Sequence, residues 1–572
     1  MLLLAAMLLG GYVDDAACAT CHADRAKTYQ HVGMARSFYA ARGSKVIEDY
    51  AAPPFFHAPS GQYFEMRRRG DEVVFRRWQL ARDGAPIHVF EQVVDWIIGS
   101  GNHARTYVYR TASGELYELP LTWYSQSRQW AMSPGYDRPD HEGVTRRVRH
   151  ECMFCHNAYP GVAGEPLTYW RSQSFPAELP QGIGCQRCHG PGAEHARTQS
   201  RDSIVNPARL STKQRNDICY ECHMQPTVML PGLRRFGRDI YSFRPGQALD
   251  DYALRVDVDE EGQSRGERFE INHHPYRLEQ SRCFRESEGR LSCLTCHDPH
   301  RKTNDYKKAC LSCHAAAHRV NGDCTSCHMP KRRPQDVVHT VMTDHFIRRD
   351  PAGAEFLAPR AEREPRLTRV ETADELYSAI ALVRASGGAN AASVQRLAKL
   401  IVARKPTELE PYLDLASALL RQRQWAALEA TCSEILKREP KQELALEWMA
   451  IARAARGGSS DDAARALASL TRPEAAFNAG LFLPTAEAIP FFERAVALRP
   501  NLTAAWIRLG EAKRECGDPF AAIDAFRHAL EIDPSNVRAR AGIVDAFRAV
   551  GNVEDAERYR TVATGRMPGT AG

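Results

Sequence analysis

Apolar and polar positions change rhythm twice along this chain of 572 residues. From Tyr63 to Leu80 aromatic and β-branched residues alternate with polar ones around Gly70-Asp71, and from Tyr107 to Met132 they do so around Ser113-Gly114. Alternation interrupted by a Gly-containing pair predicts antiparallel hairpins, so a small antiparallel β insertion is expected over about 41–149. Beyond a charged, proline-containing connector at 351–366, alanine-rich helical periodicity begins. Pro500, Pro534 and Pro568 are 34 residues apart, as are Pro406 and Pro440, and Ala488, Phe492, Ala495 recur as Ala522, Phe526, Ala529. That period reads as paired helices that bury a small-residue seam only by stacking on neighbours, giving an all-α solenoid over 367–572 with a degenerate copy near 440–480. The connector predicts two halves with separate cores.

Composition narrows the class without naming it. Hydrophobic residues are 43% and charged residues 26%, enough apolar surface for several globular cores and no sign of a disordered or fibrous chain. The formal charge of +6 is modest and gives no case for nucleic acid as a partner.

Cysteine usage changes the picture. Of 17 cysteines, 15 precede residue 330, and 14 of those fall into Cys-x-x-Cys-His. The seven copies are Cys18, Cys21, His22; Cys152, Cys155, His156; Cys185, Cys188, His189; Cys219, Cys222, His223; Cys293, Cys296, His297; Cys310, Cys313, His314; and Cys324, Cys327, His328. Chance would supply about 0.02 such pentapeptides, so the repetition needs a chemical reason. Covalent attachment of c-type haem supplies one: two thioethers hold the porphyrin edge and the adjacent histidine binds iron from the proximal side. Zinc would not require a histidine after every second cysteine, and disulfides closing seven two-residue loops would staple almost nothing. Seven haems are therefore expected. Of the leftover cysteines, Cys432 falls in the slot of Phe492 and Phe526 and reads as packed core, Cys516 as a thiol at an inter-helix turn, and Cys283 as a buried thiol.

The run GIGCQRCHGPGAEH at 182–195, CHDPH at 296–300, and CHMPK at 327–331 followed by HTVMTDHFIRR at 339–349 resemble multihaem cytochromes of the cytochrome c-554 type. Trp506, Leu509 and Gly510 ahead of the recurring Ala and Phe positions match the tetratricopeptide pattern, and c-554-type members fused to such repeats are most similar. The resemblance implies a periplasmic electron-transfer protein with mostly bis-histidine haems in close pairs; the β insertion departs from it. The expected architecture is multidomain: an export signal at 1–17, a haem-packed, mostly irregular and α cytochrome domain at 18–350 carrying the β insertion, the linker, and the all-α repeat solenoid.

Haem attachment is completed outside the bacterial cytoplasm, so an exported, periplasmic location is expected. Met1–Gly10, MLLLAAMLLG, has the apolar run of an export signal but lacks a basic n-region, as in a truncated leader. No stretch reaches 18 apolar residues, so a soluble or membrane-peripheral protein without a transmembrane span is expected.

Whether each iron has a sixth ligand separates a carrier from an enzyme. Outside the motifs and before the repeats stand 13 histidines. His103, His195, His273, His300, His339 and His345 are the distal candidates, with His31, His274, His318 or Met34 for a remaining place; His57, His88 and His141 read as structural. An electron carrier with redox-protein partners, docking through the repeats, is favoured. The alternative is a multihaem oxidoreductase acting on a small nitrogen or sulfur compound at one haem with an open position, for which the isolated first motif is the best candidate.

Overall fold

The structure is a computed structural model and describes residues 11–159, 170, 173–224, 233–260, 265–302, 304–314, 323–349, 353–361, 367–371 and 374–560. Met1–Gly10, His318 and Pro568 lie outside the described residues.

The β insertion contains ten strands: β1 (Phe38–Ala40), β2 (Phe55–His57), β3 (Gln62–Arg69), β4 (Glu72–Leu80), β5 (Pro86–Val93), β6 (Trp96–Ile98), β7 (Ala104–Arg110), β8 (Leu116–Tyr124), β9 (Gln129–Met132) and β10 (Arg147–Val148). β3 and β4 form the expected hairpin, in register from Tyr63↔Trp78 to Arg69↔Glu72. Gly70 turns the chain with φ 62°, a backbone state that glycine adopts at little cost. One sheet has the order β2-β3-β4-β5; the other runs β1-β6-β7-β8-β10, with β9 on β8. Alternation sends Phe64, Met66, Phe75, Tyr107, Leu119 and Trp123 into a common core.

From Thr503 onward the solenoid shows why its repeat conserves size. Helices Thr503–Glu515, Pro519–Ile532 and Val537–Ala549 pack in sequence. Phe526 is fully buried between Gly510 and the next helix, and a methyl at Gly510 would lie 2.9 Å from its ring. Cys432 is fully buried in the equivalent place, Cys516 is exposed and Cys283 half-buried.

The two halves do not have separate cores. Leu233 and Val256 pack with Leu376, Tyr377 and Ile380 in the first solenoid helix, and Ile532 belongs to the β insertion's core. Phe236 stacks on Tyr377 at 4.3 Å, and strand 257–260 pairs with 367–371, so the connector returns to the motif-bearing region before the helices start. Polar contacts fix the join. Arg499 bridges Glu115, the residue before β8, at 3.0 Å and also holds Glu474. The guanidinium of Arg77, fully buried on β4, donates to the carbonyls of Glu531 and Ile532 at the C-terminal end of helix Pro519–Ile532. A cation there meets the negative end of the helix dipole, and burial lowers its pKa only to about 10, so it stays charged.

Two predictions concern this join. Arg77→Met leaves the two carbonyls without their donor and should cost about 2–3 kcal/mol of stability, read from denaturant unfolding of the full chain; an unchanged midpoint would contradict the role assigned to it. His88 is buried beside Tyr559 with its Nδ1 on Gln79 Oε1 at 2.9 Å. Burial, then Arg540 and Arg77, push its pKa to about 3, below the ordinary 6.5. The folded state thus holds it neutral: its contribution is complete above about pH 6.5 and is lost as pH falls toward 3, at up to about 1.4 kcal/mol per pH unit. Thermal unfolding of His88→Gln should fall less steeply between pH 6 and 4 than that of the parent chain, and parallel curves would refute this.

Candidate cofactor site

Each Cys-x-x-Cys-His motif sits on or against a short helix: Asp15–Cys21, His150–His156, Gln186–His189, Thr212–His223, Cys293–Cys296, Tyr306–Leu311 and Cys324–His328. Positions i, i+3 and i+4 share one side of a helix, so the spacing points both thiols and the imidazole the same way. Caps fix several starts. Asp14 accepts from Ala16 N, Ser211 forms a capping box with Gln214, and Asp305 and Asp323 accept from Lys308 N and Thr325 N.

The motifs converge. The Asp15 carboxylate and the Cys18 and Cys185 thiols lie within 4.8 Å of one another, joining motifs 1 and 3. Arg187 of motif 3 reaches Cys222 Sγ at 3.8 Å, Cys222 Sγ reaches Phe154 O of motif 2 at 3.9 Å, and Cys293 N of motif 5 donates to Asn216 Oδ1 on the motif 4 helix at 3.3 Å, so motif 4 and its helix touch motifs 3, 2 and 5. Cys310 neighbours both Cys296 and Cys324, linking motifs 5, 6 and 7. Inner motif positions contribute too: Arg187 of motif 3, buried against the Phe154 ring at 4.4 Å, pairs with Glu221 of motif 4 at 3.4 Å.

A cavity of about 3440 Å³ runs among them, several times the space a single small ligand occupies. Motifs 1 to 5 line it with every cysteine and histidine, and nineteen Arg and Lys residues line it against nine Asp and Glu. Five further histidines complete the lining: His103, His195, His274, His300 and His345.

Four of these five face a motif histidine at nearly one spacing. Ring centroids are 6.2 Å apart for His22 and His195, 6.0 Å for His189 and His300, 6.2 Å for His223 and His274, and 6.2 Å for His297 and His345. The ring planes in these pairs differ by 10° to 30°. Two imidazoles across one metal, each with a bond of about 2 Å and a ring radius of about 1 Å, put their centroids about 6 Å apart. Backbone carbonyls orient the rings: Nδ1 of His189 bonds Val205 O, that of His195 bonds Ser200 O, and that of His328 bonds Arg348 O, all at 2.8 Å, and that of His345 bonds Thr343 O at 3.1 Å. A carbonyl only accepts, so Nδ1 carries the proton and Nε2 keeps the lone pair a metal takes. Burial holds His345 at about 4 and His274 well below the ordinary value, keeping both neutral.

The distal candidates therefore divide. His195, His300 and His345 oppose motif histidines. At the His-His pair it is His274, the first residue of helix His274–Glu279, that does so, while His273 bonds Glu270 at 3.1 Å. His339 is held by Asp137 of the β insertion at 3.0 Å, and His57 reaches the same carboxylate at 3.2 Å. His103 lines the cavity beside Gln126, at 3.1 Å, and Met34 lines it as well; His31 is exposed. The first motif, the best candidate for an open position under the oxidoreductase alternative, has His195 opposite it. Sequence reasoning passed over the Arg187–Glu221 pair, whose only signal is opposite charge at the inner positions of two motifs.

Comparison with known proteins bears on the helical half. Residues 503–536 match the tetratricopeptide repeat family. Similar solved structures include the crystal structure of MamA protein, 23% identical over 26% of this chain and 85% of that one with a TM-score of 0.23. Another is MamA 41-end from Desulfovibrio magneticus RS-1, 20% identical over 26% and 88% with a TM-score of 0.23. A third is YrrB, described as a TPR protein with an unusual peptide-binding site, 19% identical over 29% and 89% with a TM-score of 0.24. No curated protein matches the chain. The helical C-terminal region is consistent with a tetratricopeptide solenoid, a fold that implies protein partners. Among the described residues no helix is long and apolar enough to cross a membrane.

Proposed function

We propose that this chain is a periplasmic multihaem c-type cytochrome that carries electrons between redox partners through seven covalently attached, mostly bis-histidine haems, with the repeats as a protein-docking surface. The observation that carries this reading is the recurrence of one spacing, 6.0 to 6.2 Å, between four motif histidines and four histidines from elsewhere in the chain. The lining supports it. A surplus of guanidinium and ammonium groups suits carboxylate-bearing porphyrins, and the cavity's breadth suits several of them.

Under this reading Cys18, Cys21 and their six counterpart pairs hold the porphyrins, and His22, His156, His189, His223, His297, His314 and His328 are the proximal ligands. His195, His300, His274 and His345 are the distal partners of motifs 1, 3, 4 and 5. When bound, haem iron supplies one-electron chemistry at a potential set by axial ligands, burial and hydrogen bonds. The chain's own part is to hold the imidazoles of His189, His195, His328 and His345 by their Nδ1 atoms, to keep the motifs in touch, and to surround the cofactors with cations. The close succession of motifs 1, 3, 4, 5, 6 and 7, with motif 2 beside motif 4, suits conduction along a line with one branch.

One observation favours a second reading, an oxidoreductase centred on motif 2. The cavity near Cys152 is lined by Glu118, Glu142, Arg138 and Arg146, groups able to bind and protonate a small anion.

Two measurements test the proposal. Intact mass of the mature protein should exceed the polypeptide by seven haem increments that resist acid acetone; a protein without them would end the reading. His345→Ala should convert one low-spin haem to high-spin and shift its potential while all seven remain attached, whereas His339→Ala should leave the spin count unchanged. Identical spectra for both would refute the ligand assignment. Stoichiometric carbon monoxide binding by the reduced parent protein, abolished when the cavity near Cys152 is blocked, would favour the second reading.

A further inference from the structure

Motifs 1 to 5 line the cavity in full, but motif 6 contributes only Cys310, and motif 7 is represented by Thr325 and the adjoining Met329. These last two motifs lie toward the surface: Cys313, His314 and Cys327 are exposed, beside Leu311, an exposed apolar side chain at 47%. Four lysines stand within a few residues of these motifs in the chain. Lys302, Lys307, Lys308 and Lys331 are exposed and make no ion pair among the described residues. The nearby acids are committed locally. Asp305 and Asp323 cap the two motif helices, and with Lys307 they line a shallow depression of about 450 Å³. Motif 1 is the other strongly exposed motif, and its helices carry Asp14, Asp15 and Asp24 against Arg25 and Lys27, with no cation surplus.

We infer that the surface around motifs 6 and 7 is the docking site for an acidic electron-transfer protein, with Lys302, Lys308 and Lys331 meeting its carboxylates and Leu311 giving an apolar contact. Unpaired, exposed cations steer an oppositely charged partner and lose that effect as salt screens them. Continuity inward is on hand, because helix Tyr306–Leu311 of motif 6 packs against both Cys324–His328 of motif 7 and Cys293–Cys296 of motif 5, whose cysteines and histidine line the cavity. This inference rests on the haem reading.

The test uses the full-length protein and an acidic flavodoxin as probe. Carbodiimide cross-linking joins lysine ammonium groups directly to carboxylates, and mass spectrometry locates the links. Links should concentrate on Lys302, Lys308 and Lys331 and vanish in 0.5 M salt. The triple variant Lys302→Glu, Lys308→Glu, Lys331→Glu should weaken binding at least about tenfold at low ionic strength, while Lys399→Glu with Lys405→Glu on the solenoid should not. Links confined to solenoid lysines, equal affinity in the two variants, or no binding would overturn the inference. A pyridine haemochrome count on the same sample separates the premises. Seven haems without binding removes the docking site alone, whereas binding at these lysines without haem keeps the surface and removes the cytochrome reading.

Discussion

The proposed cofactor chemistry depends on holding pairs of imidazoles about 6 Å apart across a common interior space, as four pairs here are held. A side chain with two free torsions does not keep such a distance unaided. The structure supplies the constraint at both ends. On the motif side, a single helical turn fixes the histidine relative to two cysteines; on the other, Ser200 O and Thr343 O hold Nδ1 of His195 and His345, and the Asp298 carboxylate lies 3.4 Å from Nδ1 of His300. Where imidazoles lie deep, burial keeps them neutral, the form able to donate a lone pair to a metal.

A region built around a cavity of about 3440 Å³ has little hydrophobic core of its own, and its stability comes from elsewhere. Buried ion pairs tie its helices together, Arg187 to Glu221 and Arg277 to Asp344 at 2.8 Å. Such pairs are costly to break once desolvated, so they fix positions more than they add net stability. The apolar contribution is borrowed from both neighbours. Leu233 and Val256 pack into the solenoid's first helices, and the β insertion shares Ile532 with the solenoid's last third. Deleting the repeats would expose both surfaces, and so the repeats brace the motif-bearing half as well as offering a face to partners.

Local patterns were legible in the sequence because their causes are local. Gly70 with alternating neighbours specified the β3–β4 hairpin, the 34-residue recurrence of Phe492 and Phe526 specified the helix pairs, and Cys432 in the same slot is buried as that register requires. Pairings across the chain were legible only in part. His195, His300 and His345 stand near motifs or turns, and the structure sets them opposite motif histidines. The choice between His273 and His274 turns on where a helix begins, which a one-residue change of phase reverses, and Asp137, 202 residues from His339, gives no sign in sequence of its claim on that ring. The charged connector looked like a boundary, but charge density does not reveal that the strand after it pairs with residues 257–260.

Near-infrared magnetic circular dichroism of the fully oxidised protein tests the central claim most directly, because its charge-transfer bands distinguish the axial ligand pairs of low-spin ferric haem. The account predicts that bis-histidine bands dominate and correspond to at least four haems per chain. A spectrum dominated by histidine–methionine or high-spin signals would contradict it.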